Sequence, residues 1–157
     1  MDFSKFDEMV DSKALKEQMD AAPEYDEVPA GRYVCSIEAM EVKETKAQDK
    51  LMFSLQCKIT ENKGGKGQVG RWIFFNRVIC GNKTSDKWND GIAIKGVCTF
   101  INDMLSDDDD PIEFKKYTQF AKDVEEIADM LKGSVEIEVT YDPKAFNPIQ
   151  IEEVFDV

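Results

Sequence analysis

"LMFSLQCKIT", residues 51–60, alternates without a break: Leu51, Phe53, Leu55, Cys57 and Ile59 against Met52, Ser54, Gln56, Lys58 and Thr60. A period of two puts the first set on one face of a strand and the second on the other, so this segment reads as a half-buried strand. Upstream, "RYVCSIEAMEVKE" at 32–44 has a similar pattern, and the polar turn "KETKAQDK" joins the two. Downstream, "ENKGGKGQVG" at 61–70 is a flexible loop leading into a third strand at 70–80. Short connections of this kind favour an antiparallel meander.

The period then changes. Val97, Phe100, Ile101, Met104 and Leu105 fall at helical spacing. "SDDDDPIEF" interrupts that helix, and Asp110, Pro111 and Glu113 suit the N-cap, first turn and capping-box partner of another. Its stripe is Tyr117, Phe120, Ala121, Val124, Ile127, Ala128 and Leu131, and Gly133 suits its C-terminal end. "SVEIEVTY" and "IQIEEVFDV" read as two closing strands around "DPKAFNP". At the other end, Phe6, Met9, Val10, Leu15 and Met19 mark a weak helical arm, followed by the punctuated linker "AAPEYDEVPAG". The expected division is an arm and linker over residues 1–30 and one domain over 31–157, with a helical insertion at about 87–132. Three strands, helix and two strands is the order of a five-stranded OB-type Greek-key barrel, a mainly β α+β fold that binds through strands two and three and flanking loops.

The chain has 157 residues and a net charge of −12, and an acidic total ordinarily argues against a nucleic-acid partner. The charge is unevenly spread, however. Residues 1–30 carry −6, residues 31–105 carry +4 and residues 106–157 carry −10. A basic middle lies between two acidic flanks.

Histidine is absent, which excludes Ser-His-Asp and Cys-His catalysis. Cys35, Cys57, Cys80 and Cys98 form no C-x-x-C pair, so no structural metal is expected; each lies in an apolar stretch, as reduced buried thiols do. A reducing, cytoplasmic location is expected, and no run is long enough for a membrane span. The charged N-terminus has no apolar core of a secretion signal. Gly65, Gly67 and Gly70 match G-x-G-x-x-G, but they lead into a strand and not into the helix that a phosphate cradle needs. Glu41-Val42-Lys43 with Asp26 grazes a metal-nuclease pattern, better read as solvated charges on an edge strand. No enzymatic activity, catalytic residue or cofactor is expected.

What remains is "RWIFFNRVIC" at 71–80. Arg71, Ile73, Phe75, Arg77 and Ile79 share one face, and Trp72, Phe74, Asn76, Val78 and Cys80 the other. The favoured register turns Trp72, Phe74 and Val78 inward, leaving Phe75 exposed between two arginines. The inverse register, with Trp72 and Phe74 outside, makes a similar platform, and a strand covered on both faces makes none. Aromatic rings stack unpaired bases while cations meet phosphates. The first loop adds Lys46 and Lys50, strand two adds Lys58, and the last hairpin adds Lys144 and Phe146.

Finally, "VPAGRYVCSIEAMEVKETKAQDKLMFSLQCKITEN" followed by "GRWIFFNRVI" resembles a family of small acidic bacteriophage early proteins of unassigned function, regarded as single-stranded DNA-binding proteins. The resemblance covers residues 1–105 or so and implies a place among replication and recombination functions. The expected function is sequence-tolerant binding of single-stranded DNA, through Arg71, Arg77, Lys46, Lys50, Lys58 and Lys144 to phosphates and Phe75, Phe146 and Trp72 to bases. The alternative is an acidic interaction module that recruits a phage or host replication protein and binds no nucleic acid.

Overall fold

The computed structural model describes residues 4–7, 11–21 and 27–157. In the arm, α1 spans Ser4–Asp7 and α2 spans Ser12–Ala21, with the Asp11 carboxylate accepting from the N–H groups of Lys13 and Ala14 as an N-cap. Met9, Val10 and Asp26 lie outside the described residues.

The alternating segments become strands: β1 (Gly31–Glu44), β2 (Leu51–Asn62), β3 (Trp72–Cys80), β4 (Val135–Tyr141) and β5 (Ile149–Asp156). Between β3 and β4 run α3 (Asp90–Met104) and α4 (Tyr117–Leu131). All pairings are antiparallel, and the sheet order is β3-β2-β1-β4-β5. The long strand β1 serves both halves, pairing with β2 from Tyr33 to Glu44 and with β4 from Gly31 to Ser36. Its ladder with β2 shifts register at Val34/Cys35 and again at Ile37/Ala39. Such bulges bend a strand and increase its twist, so the sheet coils around its inner face.

The coiling stops short of closure, and here the barrel expectation fails. β3 and β5 are the two edges of an open five-stranded sheet, and they form no ladder with each other. The reason is α3, which packs against both edges. Its Phe100 ring lies 5.3 Å from Phe75 and 6.3 Å from Phe53, so helix side chains occupy the space a closing ladder would need. The fold is an open antiparallel sheet with helices on its inner side.

The core is the inner face of that sheet under the two helices. Phe53, Leu55, Cys57 and Ile59 of β2 are buried as their alternation implies, facing Val97 and Ile101 of α3 and Phe120, Val124 and Leu131 of α4 within one apolar cluster. α4 begins later than its acidic prelude suggests. Asp110, Pro111 and Glu113 belong to a hydrogen-bonded loop instead. Asp109 accepts from the backbone and hydroxyl of Ser106, and the Asn102 side chain holds the Ile112 backbone at both its N–H and its carbonyl. Gln119 does the capping, accepting from the N–H groups of Lys115 and Lys116. Gly133, at φ +76, follows the helix in the left-handed conformation that glycine tolerates best.

Candidate nucleic-acid interface

β3 organises the site. Its inward residues Ile73, Phe75 and Ile79 are buried, while Trp72 is 41% and Phe74 56% exposed. The register favoured from the sequence is therefore reversed: Phe75 is a core residue, set edge-on to Phe53 at 6.1 Å, and stacks on nothing outside. Trp72 and Phe74 take the outer position. Their rings are near-parallel (11°), with centroids 6.3 Å apart. The ladder sets Lys58 opposite Trp72, Gln56 opposite Phe74 and Ser54 opposite Asn76, and the Ser54 hydroxyl donates to Asn76 Oδ1 at 2.7 Å. Lys58 is exposed, so the outer face of β2 and β3 carries an aromatic pair, a cation and side-chain amides.

The opposite end of the same outer face is anionic. Thr60 reaches across to Glu136 at 3.3 Å, and Arg32 sits 3.0 Å from Glu138 and 3.8 Å from Glu152.

Arg77 has a different fate from the one read in the sequence. Its guanidinium carbon lies 4.7 Å from the Phe146 ring centre, 5.2 Å from that of Phe75 and 5.3 Å from that of Trp88. It donates to the Phe146 carbonyl at 3.0 Å and to Asn147 Oδ1 at 3.2 Å. Burial lowers its pKa. The residue latches the β4–β5 hairpin (residues 142–148) onto β3 through its Nη2 nitrogen, which makes both hydrogen bonds, so Arg77 serves the fold.

Around that latch the 80–90 loop is tightly bonded. Trp88 donates from Nε1 to Asn82 Oδ1 at 3.1 Å, and its ring stands edge-on to Phe146 at 5.0 Å. Asn82 donates through Nδ2 to the Val78 carbonyl and to Asp90, both at 2.8 Å. Partial burial pushes the Asp90 carboxyl up, but donation from the Asn82 backbone, the Asn82 side chain and the Gly81 backbone outweighs it, leaving the group below its ordinary value. A groove of about 620 Å³ opens between β3, α3 and the hairpin, with Arg77, Trp88, Lys95 and Phe146 among its walls.

The other candidates are dispersed. Arg71 precedes β3, donates to Gln68 Oε1 at 2.7 Å and is close enough to Tyr33 for its charge to oppose the upward shift that burial gives that hydroxyl. Lys46 and Lys50 are exposed in the β1–β2 turn. A Cβ added to Gly81 would lie 2.8 Å from Lys50 Cγ, which puts this turn at the far end of β3 from Trp72. Lys144 and Phe146 are exposed on the hairpin. The sequence reading missed Trp88 and Asn147, and it placed Phe74 outside only in the inverse register that it did not favour. Asn76 was the available signal for that register, because a lone amide on a greasy strand marks the wet face.

Among the described residues no group of His, Cys, Asp and Glu could hold a metal ion. Glu41 and Lys43 of the nuclease-like triplet form an exposed ion pair at 3.7 Å. All four cysteines are free, and burial pushes the Cys35 thiol up to about 12 and the Cys57 thiol up as well, which suits inert core positions. No helix among the described residues is long and apolar enough to cross a membrane.

The open antiparallel sheet with its helices places the chain in the α+β class, with Trp72 and Phe74 exposed on the outer face of the sheet. Residues 15–154 match a family model described as "Protein of unknown function (DUF669)", and the chain belongs to that family. No curated protein matches it.

Proposed function

We propose that the protein binds single-stranded DNA without sequence preference, in the phage replication or recombination setting that its resemblance implies. The observation that carries this reading is the exposed, near-parallel Trp72–Phe74 pair with Lys58 across the ladder from Trp72. Unpaired bases offer π-faces of any sequence, and each base–aromatic stack is worth roughly 1–3 kcal/mol. β3 has nine residues, so a strand laid along it runs about 26 Å at ~3.3 Å per residue, from Lys58 and Trp72 toward Lys50 and Lys46. Lys144 and Phe146 stand on the latched hairpin at the seam, on the α3 side of β3 and apart from the Trp72–Phe74 pair. The role proposed is binding alone.

The test is titration with oligo-dT, read by fluorescence anisotropy of the DNA. Wild type is expected to bind, and Trp72→Ala/Phe74→Ala to lose affinity while unfolding at the same denaturant concentration. Equal binding by the double variant, or duplex bound as tightly as single strand, overturns the reading. The alternative, an acidic interaction module, draws support from the carboxylates of β4 and β5 and predicts a stoichiometric protein partner with no shift of single-stranded DNA.

A further inference from the structure

Two surfaces of the chain, neither used above, complement each other. The first is a groove of about 540 Å³ where the end of α3 meets α4. Its floor is apolar: Leu105, Ile112, Ile127 and Met130, the last 45% exposed. Its rim holds Asp108, Asp109, Asp110, Asp123 and Glu126, with no lysine or arginine among the lining residues. Ion pairs among the described residues lie elsewhere, on Arg32, Lys43 and Lys63. The rim is also held in place, by the Ser106–Asp109 and Asn102–Ile112 hydrogen bonds. An uncovered apolar floor ringed by one sign of charge calls for an apolar anchor flanked by the opposite sign.

The second surface is that anchor. The β2–β3 hairpin, residues 63–70, presents Val69 at 62% exposure, with Lys66 exposed on the same hairpin and Lys63 exposed and 3.6 Å from Glu61. The tip has a defined shape. Gly67, Gln68 and Gly70 all have positive φ, Asn62 Oδ1 accepts from the Gly64 N–H at 3.0 Å, and the Gly70 N–H donates to the Ile59 carbonyl at 2.8 Å.

We propose that copies of this protein associate head to tail, the 63–70 hairpin of one seating Val69 in the acid-rimmed groove of the next, with Lys63 and Lys66 against the carboxylates. Knob and groove are separate surfaces, so each copy gives one and receives one, and the contact can propagate. Each exposed lysine–carboxylate pair contributes little in water. The association is therefore weak and salt-sensitive, and it grows where copies are held close together. On the single-strand reading, a bound strand holds them so and binding becomes cooperative; the association itself needs no DNA, so it fails or stands independently of that reading.

Sedimentation velocity across a concentration series tests it without DNA. At about 50 mM salt the weight-average sedimentation coefficient is expected to rise with concentration, and at about 500 mM to stay at the monomer value. Val69→Asp damages only the knob and Asp108→Lys/Glu126→Lys only the rim, all three sites being exposed, so each variant alone is expected to be monomeric and correctly folded by circular dichroism. Mixed, the two variants retain one good surface each and are expected to form a one-to-one complex that does not grow. A wild type that is monomeric at every concentration overturns the proposal and leaves the groove to a basic segment of another protein. Association indifferent to both variants, or a mixture that stays monomeric, also overturns it.

Discussion

Phe74 and Phe75 are neighbours in the chain and opposites in the molecule. Phe74 stands in solvent beside Trp72, while Phe75 is 7% exposed, between Phe53 and Phe100. The same contrast holds for the cations. Lys58 is exposed on the outer face, whereas Arg77 is held among three rings and two acceptors at the seam. One strand thus separates a surface available to a ligand from a surface already committed to the fold. Residue type did not decide which is which. The pleat did, because successive side chains face opposite ways and α3 covers one side only.

The largest effect expected from breaking this contrast is on stability. Phe75→Ala removes a buried ring and should cost about 3–5 kcal/mol, read as a lower urea midpoint. Phe74→Ala should leave that midpoint within about 0.5 kcal/mol of wild type while weakening oligo-dT binding by roughly 1–3 kcal/mol. Equal destabilisation by the two would mean that the outer face is covered in solution.

Arg77 sharpens the seam half of the comparison. Arg77→Leu keeps apolar bulk but loses the bonds to Phe146 and Asn147, and should cost about 1–3 kcal/mol. Limited proteolysis should then cut faster within residues 142–148 than it does in wild type. The salt dependence of DNA binding should not change, because the guanidinium is held at the seam, on the Phe75 side of β3 and away from Trp72 and Phe74. A reduced salt slope would return Arg77 to the phosphate contacts. A smaller structural effect is expected at Gly81, whose φ of +99 suits glycine alone and whose added Cβ would press on Lys50. Gly81→Ala should cost about 1–2 kcal/mol in the same urea experiment.

What the sequence revealed, and what it hid, follows the same division between local and long-range causes. The period-two run at 51–60 and the helical stripe from Val97 to Leu105 state their structure locally, and both formed where they were read. The barrel did not, since closure depends on a β3–β5 ladder between segments some seventy residues apart, and no local pattern says that Phe100 will fill the gap. The register of β3 was ambiguous because both faces are apolar and each carries one polar interruption, Asn76 on one and Arg77 on the other. Charge made the arginine look like the wet residue. Its long stem and flat head instead let it lie over rings while bonding a hairpin carbonyl, which the shorter asparagine could not do. The start of α4 misled for a similar reason: aspartates that favour helix caps equally favour the loop in which Ser106 and Asn102 engage them and their neighbours.

Lys58 gives the finest distinction between the two regions. It is exposed, its side chain enters none of the ion pairs among the described residues, and it pairs across the ladder with Trp72. Lys58→Ala should therefore leave the urea midpoint unchanged and weaken binding to all sequences alike. A single strand releases counterions with a log–log slope of about −0.7 per phosphate neutralised, so the slope of affinity against salt should become shallower by about 0.7. Arg77→Leu should show the converse pattern, with lost stability and an unaltered slope. If both variants shift the slope equally, seam and outer face act as one electrostatic surface, and the separation made by the pleat is structural only.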